Sequence, residues 1–232
     1  MRTTIGIIMM ADLTLLRLLH LASPTLPTGA FSYSQGIEWA VECGWVRSPA
    51  DLEGWLGDQL RNQMARLDLP LVARLHAAAL ASDDCAMTDW TDLLLASRET
   101  RELRDEESNR GRALADLLVS LEVEGAADRK PAIARAQAAG FAYAAARWDI
   151  DPRRTLLAYA WSWLENLVIA AVKIVPLGQT QGQRTLARLI QSVPRAIDRA
   201  LAVEDAEIGA GAPALAIASS LHETQYTRLF RS

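Results

Sequence analysis

The chain has 232 residues, with 24 basic and 28 acidic side chains and a formal net charge of −4. That balance argues against non-specific nucleic-acid binding, which needs a net basic surface to neutralise phosphates. Half of the residues are hydrophobic, enough for one sizeable core. Ala and Leu lead that class and are strong helix formers, whereas β-branched and aromatic residues mark strands. No stretch shows sustained alternation bounded by Gly-rich hairpin turns, so an all-α fold is expected: a single-domain bundle of roughly eight to ten helices around a central apolar helix.

In chain order, residues 1–12 carry a short apolar run, Ile5 to Ala11, closed by Asp12 and followed by Arg17 and His20. This is too short and too interrupted for a signal peptide. The segment is read as a disordered extension, or a start-site artefact, ahead of a helical core spanning 13–203. Leu13–Ala22 predicts a first helix ended by Ser23-Pro24, and SPTLPTGAFS predicts a structured turn. Helical pattern resumes at Tyr33–Cys43 and stops at Gly44. Asp51 is the expected N-cap of the next helix, with Leu52, Trp55, Leu56 and Leu60 on one face. Pro70 is expected to interrupt the chain before a helix bearing Leu71, Leu75 and Leu80. Ser82-Asp83-Asp84 reads as a loop.

The longest periodic region runs from about Thr88 to Glu122 and is expected to break or kink near Gly111. Pro131 suits the first turn of an Ala-rich helix reaching Trp148. Asp151-Pro152 opens an apolar helix that Pro176-Leu177-Gly178 ends. Glu165, Asn166 and Lys173 lie inside it, so it reads as a buried core helix, not a membrane span. Thr185–Leu201 is amphipathic, and Pro194 should kink or divide it. Residues 204–218 read as a flexible linker. Residues 219–232 form a separate tail in which Ser220 and Glu223 suggest a capping box opening a short helix.

Motifs for chemistry are scarce. Cys43 and Cys85 fit neither a disulfide framework nor a CxxC metal site, so both read as small core hydrophobes in a reduced cytoplasmic setting. His20, His76 and His222 are far apart, and His222-Glu223 lacks the second histidine of a zincin helix. Neither a GxxxxGK[ST] nor a GxGxxG loop occurs, and no serine sits in a G-x-S-x-G elbow. The charged run Arg98–Arg112 could suggest Mg²⁺ chelation in a diphosphate-processing enzyme using the Asp105–Asn109 region. Yet Arg98/Glu102, Arg101/Asp105 and Glu106/Arg110 fall at i,i+4, and a salt-bridged, solvated or interface face is the better reading. Lys173, near the end of the apolar helix, either complements the helix dipole or faces a partner, and the residues leave both open. Burying Leu221, Tyr226, Leu229 and Phe230 offsets the entropy of ordering the tail only roughly, so folding on binding is the expectation. Tyr, Phe and Arg are also the residue kinds that anchor interfaces.

Three segments together resemble the urease accessory protein family UreF: LASPTLPTGAFSYSQGIEWAVECGW (21–45), ASRETRELRDEESNRG (96–111), and VKIVPLGQTQGQ (172–183) joined with the terminal HETQYTRLFRS. The resemblance implies a helical homodimer that is not an enzyme. It implies docking to UreD (also called UreH) and to the GTPase UreG, in an assembly that delivers nickel to apo-urease. No cofactor of its own is implied: nickel is cargo and GTP belongs to the partner. It also implies partner-binding positions at Phe31, Tyr33, Ser34, Gln35, Glu38, Arg98, Arg101, Lys173, Gln179, His222, Glu223, Tyr226, Arg228, Leu229 and Phe230, with Arg228 directed to UreG. Some relatives carry Tyr where this chain has Phe31, and Tyr33 is the candidate to replace that hydroxyl. Neither nucleic acid nor a membrane is an expected partner.

Overall fold

Twelve α-helical segments and no strand are found among the described residues of the computed structural model, which are 2–175 and 177–232, with side chains from Ala11 onwards. The first helix, α1 (Arg2–Ala22), runs unbroken across Asp12 and stops before Ser23-Pro24, where the residue before a proline disfavours helix. Met1 and Pro176 lie outside the described residues, as do the side chains of the run 5–10. A 3-10 turn at Ala30–Ser32 leads to α2 (Ile37–Glu42), which starts later than the pattern from Tyr33 predicts. Gln35 and Gly36 both have positive φ, 50° and 77°, and that left-handed backbone cannot sit inside a right-handed helix. A side chain at Gly36 would also come within 3.1 Å of Ala218 Cβ.

The cap of α3 (Pro49–Gln59) is Ser48 and not Asp51: its hydroxyl accepts from Asp51 N–H at 3.2 Å, while Asp51 accepts from Arg47 N–H at 3.0 Å. Pro70 does not interrupt the chain either. The helix continues through a π-helical stretch, Leu60–Asp68, into α4 (Leu69–Ala81) as one rod. A proline removes a donor from its turn and leaves the carbonyl four residues earlier unpaired. Here that carbonyl, of Arg66, accepts instead from Gly209 N–H at 3.1 Å. The wider π turn, with Leu69 N–H reaching Met64 O, lets the proline ring pass.

The break in the charged region falls at 97–100, between α5 (Asp84–Ala96) and α6 (Arg101–Ser120), where Thr100 Oγ1 caps Leu103 N–H. Gly111 sits inside an uninterrupted α6. A Cβ there would stand 2.7 Å from Ala134 O, so the glycine serves close approach of a neighbouring segment, not a kink. That segment joins α7 (Ala126–Ile133) to α8 (Gln137–Arg147), and Pro131 lies inside α7 instead of opening a longer helix. Asp151 caps α9 (Pro152–Ile174) through Arg154 N–H at 3.0 Å, as expected. Pro194 divides the amphipathic stretch into α10 (Gln179–Leu189) and α11 (Val193–Ala202), with a 3-10 turn between. The last helix, α12 (Pro213–His222), straddles the boundary expected between linker and tail. Its alanines favour helix and Pro213 pre-sets the first turn.

The central rod is α9, which touches α1, α2, α4, α8, α10 and α11. It is long and apolar enough to cross a membrane, but 61% of its apolar window is buried in the protein. Leu156, Leu164 and Leu167 are wholly enclosed, each stabilising the fold by ~1.5–3 kcal/mol. The alanines of α8 keep its face flat, so α4 and α6 close over it, and Phe141 meets Tyr159 of α9 edge to face at 5.2 Å. Both cysteines are exposed, contrary to the core reading. Cys43 follows the last turn of α2 and Cys85 lies in the first turn of α5, helix-end positions that the body does not cover.

Candidate functional site

Residues 223–232 follow α12 without helical structure and lie in a cradle built from α2, α6 and the turn before α2. The cradle's centre is Glu38, in the first turn of α2, where a helix N-terminus favours an acid. Its carboxylate accepts from Leu229 N–H at 2.6 Å and from Phe230 N–H at 2.8 Å, and it faces His222 Nε2 at 3.2 Å. His222 is fully buried, and its Nδ1 stands 2.7 Å from Glu102 of α6. The other oxygen of Glu102 accepts from Arg228 at 2.6 Å. Farther along, Ser34 donates from its N–H (2.8 Å) and its hydroxyl (2.5 Å) to Ser232 O, and Arg231 N–H donates to Ser32 O at 2.8 Å.

Glu223 does not close a capping box with Ser220. It lies beyond the end of α12, and its carboxylate accepts from Arg101 N–H (2.8 Å) and Glu102 N–H (3.2 Å), so it caps α6 instead. This polar seating explains why apolar area alone underestimates the tail's order. A hydrogen bond to a charged group contributes ~1.5–3 kcal/mol net, and Glu38 alone receives two from the tail backbone.

The expected partner-binding residues therefore separate into two sets. Ser34, Glu38, His222 and Phe230 are buried and engaged within the chain, holding the tail. Gln35 is half-buried between Glu106 and Trp163, at 3.0 and 2.9 Å. Tyr33 is buried, and its hydroxyl accepts from Asn109 at 3.2 Å, so it does not replace a hydroxyl at position 31 in holding the tail. Phe31 is 61% exposed. Between the rings of Phe31 and Phe230 lies the Lys173 ammonium, 6.0 and 5.6 Å from their centres, within cation–π range. Tyr226, Arg228, Leu229, Arg101, Glu223, Lys173 and Gln179 are exposed, and Tyr226 is wholly so.

Arg98 is the clear correction: it is 6% exposed and reaches no surface. Its guanidinium bridges Asp68 and Glu107 in the interior, and Glu107 also accepts from Gln137 N–H at 3.1 Å. One turn away Arg110 pairs with Glu106 at 2.7 Å. The inner side of this charged stretch is thus enclosed, and only the Arg101–Asp105 pair keeps the solvated geometry read from the sequence. Burial pushes the Asp68 and Glu106 carboxyls up from their ordinary values, and their arginine partners only partly offset that. Burial also acts to lower the Arg98 guanidinium, but Asp68 and Glu107 outweigh it and hold it well above its ordinary value. Glu106, enclosed and bonded to Gln35 and Arg110, is not disposed to chelate Mg²⁺.

Thr100, Ser219 and Ser232 carry no mark in the sequence, and Glu102, spaced to pair with Arg98, is engaged instead by His222 and Arg228. Thr100 Oγ1 and Ser219 Oγ join α6 to α12 at 2.7 Å. One signal was present: Glu102 and Glu106 stand at i,i+4 on one face, where like charges destabilise a helix unless cations come from elsewhere.

Fold and site together define a class, an all-α protein that displays its own terminal segment on a charged cradle. The UreF family model matches residues 46–190. The chain is 51% identical over 223 residues to the urease accessory protein UreF of Alcanivorax borkumensis, covering 93% of this chain and 97% of that one. It is 50% identical over 224 residues to the UreF of Pseudomonas putida strain W619, covering 97% and 100%. With the UreF of Azoarcus sp. strain BH72 it shares 51% over 225 residues, covering 95% and 96%. The chain belongs to the UreF family. Its relatives are named as urease accessory proteins, a class of maturation factors and not of enzymes.

Proposed function

We propose that the protein is a scaffold for urease maturation, acting in the cytoplasm as a homodimer that links UreD (UreH) to the GTPase UreG while nickel is passed to apo-urease. It would carry no cofactor of its own; nickel is cargo and the GTP belongs to UreG. The observation that carries this reading is the seated tail with its bare outer side. Tyr226, Leu229 and Phe31 are exposed apolar or aromatic groups, with Arg228 and Lys173 beside them. Aromatic residues and arginine are the side chains that dominate interface energies. Buried residues of the cradle, Ser34, Glu38, His222 and Phe230, act by presenting that side. Tyr226 and Leu229 are assigned to UreD, with Gln179 and Lys173 at the margin, and Arg228 to UreG.

The direct test is capture by purified UreD. Removing Thr224–Ser232 should abolish capture while helical circular dichroism is retained. Full-strength capture by the truncated protein would refute the tail's role. Arg228→Ala should leave UreD capture intact and weaken recruitment of UreG to the complex. Equal recruitment of UreG by that variant would remove Arg228 from the proposal.

A further inference from the structure

At the end of α12 remote from the tail, a cleft of about 200 Å³ opens between α3, the first turn of the π-helical stretch and residues 212–215. Its polar lining comes from Trp55, Asp58, Gln59 and Asn62. Trp55 and Gln59 stand four residues apart, hence on one face of the rod. Trp55 Nε1 and Gln59 Nε2 are both enclosed, and neither has a partner among the described residues. Gln59 is only 3% exposed, so bulk water does not compensate it.

Across the cleft α12 begins with no side chain capping it and no acid in its first turn. The first N–H groups of a helix have no partner within it. Here Ala216 N–H is the first to reach back, to Ala212 O at 3.0 Å, which leaves those of Ala214 and Leu215 without an acceptor among the described residues. On the rim the exposed Asp58 carboxylate is paired with Arg61. Donors therefore converge from two elements, and the positive end of a helix dipole points the same way.

We propose that this cleft binds a carboxylate, held by Trp55 Nε1–H, the Gln59 amide and the first N–H groups of α12. An ionised carboxylate only accepts, at about four lone-pair positions, which matches the unpartnered Trp55 and Gln59 donors. Helix N-termini are ready anion sites for the same reason. The indole of Trp55 and the side chain of Leu215 suit a short apolar body behind the charge. The carboxylate can belong to a small free acid or to an Asp or Glu side chain of another polypeptide. The site is distinct from the outer face of the tail, so its test does not depend on UreD or UreG.

The experiment is titration of the full-length, ¹⁵N-labelled protein, following the indole N–H resonance of Trp55, assigned by its loss in Trp55→Phe. Butyrate, its neutral amide butyramide, and the blocked peptide acetyl-Gly-Glu-Gly-amide are the probes. A saturable shift with butyrate, absent with butyramide, is the expected result. Shift with butyrate alone identifies a free acid as the ligand, and shift that includes the peptide identifies a side-chain carboxylate. Gln59→Leu should weaken binding about three- to tenfold, the loss of one hydrogen bond. Gln59→Glu, nearly isosteric, places a carboxylate against the same donors and should abolish it with helical content unchanged. No saturable shift with any acid, an equal shift with butyramide, or unaltered binding in Gln59→Glu would overturn the proposal.

Discussion

Two charged networks share α6, and they are built for different purposes. On the inner side Arg98, Asp68 and Glu107 join the 97–100 turn, the π-helical stretch and α6, all parts of the body. On the outer side Glu38, His222, Glu102 and Arg228 join α2 and α6 to a segment held by its backbone. In the first, every partner is fixed by the core. In the second, two carboxylates receive groups from a ten-residue tail that leaves much of its apolar surface in water. Similar chemistry thus gives an integral strut in one place and a latch in the other. The difference lies in what the partners are attached to.

The comparison breaks most visibly at Arg98. Arg98→Ala strands two buried carboxylates and should cost ~3–5 kcal/mol of global stability, read as a lower urea midpoint with an unchanged slope. Glu38→Gln should act locally. Losing charge-assisted bonds should cut hydrogen-exchange protection of the Leu229 and Phe230 amides about ten- to hundredfold, with the body's slowest amides unchanged. If protection fell equally across α9, the tail would be part of the cooperative core and the contrast would fail.

Glu106 sharpens the comparison because it stands between body and tail, pairing with Arg110 and lying 3.3 Å from Ser232 Oγ. Its carboxyl is raised by burial above the ordinary 4.5, so the folded state holds that proton more tightly than the unfolded chain does. Stability from this group is therefore present below pH 4.5 and falls as pH climbs through the raised folded value. The urea-derived stability of wild type relative to Glu106→Gln should decline over that window and be flat above it. The smallest effect belongs to Arg101→Ala. That exposed pair with Asp105 should change stability by ~0.5 kcal/mol or less.

Much of the fold was legible from local rules. Asp151-Pro152 announces α9 because cap and proline act within one turn, and at α11 Pro194 alone, in the first turn and without a side-chain cap, marks the division from α10. The all-α class and the central apolar rod follow from composition and length. The failures share a cause, namely partners far away in sequence. Pro70 is tolerated because Gly209 serves the carbonyl that the proline leaves unpaired. Gly111 is a contact glycine because the 134–136 segment crosses it. Arg98 is spaced as one of several i,i+4 partners on an open face, and its actual partners, Asp68 thirty residues earlier and Glu107 nine later, enclose it. The candidate site was legible in membership and not in role. His222, Glu38 and Phe230 were found as residues of interest, but nothing local distinguishes a group that holds the tail from one that the tail displays.

Glu223 ties these matters together. It is the first residue past α12, and its carboxylate completes the cap of α6 beside Thr100 by accepting from the Arg101 and Glu102 amides. The helix bearing both networks is therefore terminated by the segment that one of them holds. Any partner that draws the tail to a new position must leave Glu223 in place or supply another acceptor for the Arg101 and Glu102 amides. Through Glu223 the tail's position and the first turn of α6 are coupled, so a ligand that displaces Glu223 acts on both.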